Sequence, residues 1–242
     1  MYEKYETDLS WKYVKDITRE LSKPVIVIGG WAVYFLVNDK FKEFFGKDYL
    51  GSKDLDLGYE LKGNLKKSNF YRDMEYLKKQ GFRALGFRLM QEFHTETKER
   101  LDSEKAKRIP SSFIHHIYID MIVDKIPEDF RKVFGFTPID EPLVNLALKN
   151  NVNMDSFIIP APEVMLAMKL NSVLGRDKEH KRMKDVCDIF ALLYCGNIDL
   201  NKFYKIYDGD KARRIIEELD LKSASELLNT DEEIIKKILE SV

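Results

Sequence analysis

The chain has 242 residues and a mass of 28.5 kDa, and its 40 basic and 41 acidic side chains leave a formal net charge of -1. That balance excludes a polybasic protein that coats nucleic acid by bulk charge, so any such contact must be local. With 33% charged, 44% hydrophobic and 12% aromatic residues the chain is not disordered, and it can bury a substantial core as one large domain or two small ones.

Two cysteines, Cys187 and Cys195, are too few for a disulfide framework or a four-ligand zinc site, and read as small buried hydrophobes in a reducing compartment. The opening segment MYEKYETDLSWKYVKD has no apolar core or small-residue cleavage site. No run approaches the roughly 18 apolar residues of a membrane span. The expectation is a cytoplasmic protein, with no membrane partner.

In chain order, Leu9, Tyr13, Ile17 and Leu21 recur at helical spacing and predict a helix over 8–22. VIVI after Pro24 predicts a short strand, Gly29 and Gly30 a turn, and WAVYFLV a helix ending near Asn38. DLDLGY alternates carboxylate and apolar residues, so 54–59 reads as a strand with one buried face. SNFYRDMEYLKKQ predicts a helix stopping at Gly81. Residues 82–93 and 113–123 predict two further strands, with a charge-dense exposed loop between them. Four prolines, Pro138, Pro142, Pro160 and Pro162, punctuate a region of short elements. From Ala161 four helical segments follow: PEVMLAMKLNSVLG, KRMKDVCDIFALLYC, KARRIIEELD and DEEIIKKILESV. The fold class expected is α+β, a mixed sheet with flanking helices over 1–158, followed by an all-helical domain over 159–242.

The carboxylates carry the chemistry. Asp54 and Asp56, at i and i+2 of one strand, project from one face a few ångströms apart, and their repulsion is relieved by a cation. A hard divalent ion such as Mg²⁺ suits oxygen ligands and leaves room for phosphates. In 113–123, Ile117, Ile119, Met121 and Val123 share a face, leaving Asp120 on the other with Tyr118 and Ile122. If that strand neighbours the DLD strand, three carboxylates converge. Such a triad can hold two Mg²⁺ ions, one activating an attacking hydroxyl and one steadying a triphosphate. Gly29 and Gly30 let backbone approach a phosphate at a helix start, and Ser52 offers a hydroxyl to it. Taken alone, the D-x-D dipeptide reads as well as a solvated strand edge.

The order Gly-Gly, then Gly51-Ser52-Lys53-Asp54-Leu55-Asp56, then Asp120 resembles the nucleotidyltransferase superfamily with the DNA polymerase β-like fold. PAPEVMLAMKLNSVLGRDKEHKRMKDVCDIFALL is similar to the helical Pro-x-Glu, Lys, Arg, Lys-Asp-x-x-Asp segment of the AbiEii/AbiGii toxin-like group. The resemblance spans roughly residues 24 to 195 and implies the nucleotidyltransferase-like fold and a two-domain enzyme. Asp54, Asp56 and Asp120 would be catalytic metal ligands, and Gly29, Gly30 and Ser52 the phosphate turn. Lys169 would meet nucleotide phosphates, with Lys184, Asp185 and Asp188 close to the nucleotide or second substrate. The implied reaction is Mg²⁺-dependent transfer of a nucleoside monophosphate from an NTP to an RNA end, a protein or a small molecule. Two alternatives are a nucleotide-binding regulatory module without turnover and a toxin-like module silenced by an antitoxin-like partner. One departure concerns the arginine that many relatives carry just before the first aspartate: here those positions are Leu50, Gly51 and Lys53.

From Lys169 to Lys184, six basic residues (Lys169, Arg176, Lys178, Lys181, Arg182, Lys184) face only Asp177 and Glu179, which reads either as a phosphate-binding patch or as a solvated face. Lys184 and Asp188 form an i, i+4 pair that a helix surface would also accommodate. His94, His115, His116 and His180 lack the clustering of a zinc site and read as structural or peripheral. Trp31, Tyr34 and Phe35 read as core rather than as base-stacking residues.

Overall fold

The computed structural model describes residues 4–242; residues 1–3, the start of the segment read above for a leader, lie outside the described residues. The chain divides into two compact units, one of the chain up to Trp31 with Gly51–Ile159, the other of Ala32–Leu50 with Pro160–Val242. Among the described residues no helix is long and apolar enough to cross a membrane.

The first unit opens with α1 (Lys4–Glu20), which buries Leu9, Tyr13 and Ile17 along one face, as their four-residue spacing requires, with Leu21 buried just past its end. β1 (Ile26–Ile28) is fully buried and passes directly into α2 (Gly29–Phe45). β2 (Asp54–Tyr59) and α3 (Asn69–Lys79) follow, the helix capped by the Ser68 hydroxyl on the Tyr71 N–H and ended by Gly81 at φ 91°. Next come β3 (Arg83–Leu85), β4 (Arg88–His94), β5 (Arg100–Leu101), α4 (Ser103–Ala106) and the long β6 (Ile114–Val123). α5 (Phe130–Phe134), β7 (Ile139–Asp140), α6 (Leu143–Lys149), β8 (Asn151–Asn153) and β9 (Ile158–Pro160) complete it.

These strands form one mixed sheet of order β3-β4-β6-β2-β1-β9-β8, with β5 paired to β4 and β7 to β6. β2 runs parallel to β6 and antiparallel to β1, and β4 is antiparallel to β6. Alternation along the strands separates two faces. On β4, Leu89, Gln91 and Phe93 are buried while Arg88, Met90, Glu92 and His94 are partly exposed. On β6, His115, Ile117 and Ile119 are buried while His116 and Tyr118 are partly exposed. Elsewhere in the unit Phe70 meets Phe130 and Phe134 edge to face, at centroid separations of 5.3 and 5.0 Å.

The second unit takes most of α2 together with α7 (Pro162–Val173), α8 (Glu179–Cys195), α9 (Leu200–Phe203), α10 (Gly209–Glu217), α11 (Leu221–Leu228) and α12 (Glu232–Leu239). α7 and α8 are buried over long stretches, including Val164–Leu170 and Asp185–Leu192. Cys187 and Cys195 are buried, unbridged thiols on α8. Phe41 stacks on Phe45 at 4.3 Å and meets Tyr49 edge on at 4.9 Å.

Four local expectations change. α2 continues past Asn38 to Phe45, because the Asn38 side chain accepts the Tyr49 N–H from the following loop and so does not stop the helix; Gly46, at φ 66°, does. The stretch 82–93 is a hairpin rather than one strand, turning at Gly86 with φ 61°. The loop after His94 contains β5 and α4, the latter capped by Asp102 on the N–H groups of Glu104 and Lys105. Finally, α9 and α11 add to the four helical segments expected after Ala161.

Candidate active site

Asp54 and Asp56 project from the same face of β2, and the parallel register sets Asp56 opposite Asp120 on β6. The antiparallel register on the other side sets Arg88 of β4 opposite Asp120. Asp56, Asp120 and Arg88 thus form a row across three adjacent strands, with Asp54 one step along β2. The Arg88 guanidinium grips Asp120 as a fork, Nε donating to Oδ1 at 2.9 Å and Nη2 to Oδ2 at 2.7 Å. Asp54 Oδ2 lies 4.0 Å from Nη2. The guanidinium sits 4.6 Å from the Tyr118 ring centroid and 5.3 Å from that of Phe87. Burial acts to lower the Arg88 pKa, but the bond to Asp120 and the charges of Asp120, Asp54 and Asp56 outweigh it and raise it.

Asp56 closes on the first residue of α2. Gly29 has φ 67°, and a Cβ there would stand 1.9 Å from Asp56 Oδ2. The carboxylate therefore occupies space that only glycine leaves open, at the end of a helix that favours negative charge. Gly30 is buried in the same first turn. Ser52 is buried and its hydroxyl donates to the Asp54 carbonyl at 3.0 Å, fixing the entry to β2.

Among the described residues no three carboxylate, histidine or cysteine side chains are grouped so as to hold a metal ion. The donor chemistry nonetheless fits a hard divalent cation on Asp54 and Asp56, which needs only one or two carboxylates beside substrate phosphates. The row sets three carboxylates beside one guanidinium. The fork takes one lone pair on each Asp120 oxygen, so a cation at Asp120 must share those oxygens with Arg88 or displace it.

A second cluster lies between α7 and α8. Lys169 Nζ is 2.6 Å from both Asp185 Oδ1 and Asp188 Oδ2. Asp185 Oδ2 also accepts from Arg176 Nε at 2.7 Å and from Ser172 Oγ at 3.1 Å. Asp188 takes the Tyr49 hydroxyl at 2.7 Å and Lys184 at 3.2 Å. Burial acts to lower the Lys169 pKa, but Asp185 and Asp188 raise it. Burial pushes the Asp185 carboxyl up, but Lys169 and Arg176 hold it down at about 2.

No protein-family model matches the sequence, and no curated protein matches it. Among solved structures the chain is similar to an antigenic nucleotidyltransferase-like protein from Paracoccidioides brasiliensis, with 14% identity and a TM-score of 0.43 over 78% of this chain and 75% of that one. It is also similar to the Megavirus polyadenylate synthase, with 14% identity and a TM-score of 0.38 over 85% of this chain and 33% of that one, so it spans about a third of that protein's length. Likenesses this distant leave the function to the geometry of the site.

The structure brings Asp54, Asp56 and Asp120 onto one face, and gathers Lys169, Lys184, Asp185 and Asp188 separately in the second unit. It corrects two local expectations. Lys169 does not belong to an exposed basic patch, because at 5% exposure its ammonium is enclosed by two carboxylates. The Lys184–Asp188 pair is not on the surface either, since Asp188 is fully buried. Arg88 and Tyr49 were absent from the sequence reading of the site. The signal for Arg88 was Leu-Gly-Phe at 85–87, a turn that starts a new strand at Arg88.

Proposed function

We propose that this protein is a metal-dependent nucleotidyltransferase that moves a nucleoside monophosphate from an NTP to an acceptor nucleophile, with release of pyrophosphate. The observation that carries this reading is the register placing Asp120 opposite Asp56, beside Asp54 on the same face of the sheet. Mg²⁺, when bound, neutralises the triphosphate and polarises the reacting oxygens. Asp54 and Asp56 would hold the ion. Asp120 would complete the ligand set and would take the proton of the acceptor hydroxyl. Gly29 makes room for the Asp56 carboxylate, Gly30 would let a phosphate approach the backbone at the start of α2, and Ser52 holds the loop that leads into β2.

The resemblance of the Lys184-Asp185-x-x-Asp188 element to the AbiEii-type segment would put it near the nucleotide or acceptor, and with Asp185 and Asp188 buried in ion pairs it would act there by positioning its neighbours rather than by touching substrate. That resemblance also favours an RNA end or a protein side chain as acceptor, and a partner that restrains the activity. The clamp on Asp120 supports a second reading, nucleotide binding without turnover.

Incubation with radiolabelled NTPs, Mg²⁺ and RNA, protein or small-molecule acceptors tests both readings. Label transfer by wild type, reduced at least about 100-fold in an Asp54→Asn, Asp56→Asn variant, supports the enzyme. NTP binding without transfer to any acceptor favours the second reading, and transfer indifferent to the double substitution overturns the site.

A further inference from the structure

The Arg88 side chain is supported twice over. Its fork is bonded to Asp120, and its flat face lies against Tyr118 with Phe87 beside it. The aromatic seat does not depend on the carboxylate, so the side chain keeps a support beside the site from which its fork can re-aim when Asp120 is taken. The fork uses only two of the five N–H groups that an arginine carries. The side chain is also reachable, with Arg88 19% exposed and Phe87, at the hairpin turn, 38% exposed. A cation arriving among Asp54, Asp56 and Asp120 competes with Arg88 for the same oxygens and repels it. The nucleotide's phosphates arriving with that cation give a planar fork the partner it matches best.

We propose that Arg88 is a two-position counter-ion, clamping Asp120 while the metal site is vacant and turning its fork to the nucleotide's phosphates when a divalent cation takes that carboxylate. The inference rests on the metal-site reading above. It makes metal and nucleotide binding mutually dependent, because the cation frees the arginine that the phosphates use, and the phosphates hold that arginine away from Asp120.

The test measures binding rather than turnover, on the full chain. Mn²⁺ affinity is followed by the electron spin resonance signal of the free ion, without nucleotide, and affinity for α,β-methylene ATP is then measured at saturating Mn²⁺. Arg88→Gln should bind Mn²⁺ about fivefold more tightly or better and the nucleotide analogue about tenfold more weakly. Those opposite signs distinguish a counter-ion from a merely structural residue, whose loss lowers both affinities. Arg88→Lys, which keeps the charge but not the fork, should fall between and guards against misfolding of the first variant. Adding Asp120→Asn to Arg88→Gln should abolish the gain in Mn²⁺ affinity. If wild type binds Mn²⁺ and both Arg88 variants leave the two affinities unchanged, or lower both, this inference falls and the metal site stands. If no protein in the series, wild type included, binds Mn²⁺ with or without the analogue, the metal-site reading falls and takes the inference with it.

Discussion

At the scale of single residues, Gly29 and Asp56 make the sharpest demand. Any Cβ at 29 adopts a left-handed backbone at φ 67° and enters the space of the Asp56 carboxylate. Gly29→Ala should therefore cost about 1–2 kcal/mol from the backbone alone, read by urea denaturation. It should also weaken Mn²⁺ binding, because Asp56 must move. A variant as stable as wild type with undiminished metal affinity would show that the close approach is not a constraint. Asp54 and Asp56 were legible in the sequence because a strand's period of two puts both on one face whatever else the fold does. Arg88 was not, because its partner is set by register between β4 and β6, and no local pattern in FRALGFRLM encodes which residue on another strand stands opposite. Asp120 lay between these cases: its face followed from alternation, its neighbour only from the sheet.

At the scale of elements, α7 and α8 are joined by a buried network in which each carboxylate meets more than one donor. Removing one member strands the rest, so Lys169→Ala should destabilise the protein by about 3–5 kcal/mol in denaturant titrations. Lys169→Met with Asp185→Asn and Asp188→Asn should recover part of that loss. The network also predicts an acid limb. The Asp185 carboxyl is held at about 2 against an ordinary 3.8. A depressed carboxylate adds stability that is complete above the unfolded value and is lost as pH falls through the folded one. The fall therefore lies between about pH 4 and 2, is worth roughly 2 kcal/mol, and should be absent from Asp185→Asn. The sequence pattern found α7 and α8 as long, largely apolar runs, and α10 and α12 as runs of paired isoleucines set among charged residues. It passed over α9 and α11, whose starts are marked instead by Asp199, accepting the Asn201 and Lys202 N–H groups, and by Asp220, accepting that of Lys222. The same device opens α10 at Asp208 and α12 at Asp231, so the caps were the better guide in this stretch. The burial of Lys169 was not legible at all, since a lysine reads as a surface residue until the two carboxylates around it are placed.

At the scale of the whole molecule, a net charge of -1 conceals a concentration of carboxylates on one sheet face of the first unit and of buried ion pairs in the second. A ligand that balances the first should stabilise the fold through mass action, by roughly 2.7 kcal/mol at a hundredfold excess over Kd. Mg²⁺ and a non-hydrolysable NTP together should therefore raise the thermal midpoint by several degrees, and neither should do so in the Asp54→Asn, Asp56→Asn variant. An equal rise in that variant would locate nucleotide binding elsewhere. The two cysteines offer a separate handle on the molecule. Both are on α8, and burial pushes the Cys187 thiol up to about 12 and the Cys195 thiol up to about 11. At neutral pH neither is an exposed thiolate, so an alkylating reagent must wait for the helix to open. Since the first unit holds no cysteine, the rate of alkylation is a clock for the opening of the helical unit alone, available in the natural sequence without a label or a substitution.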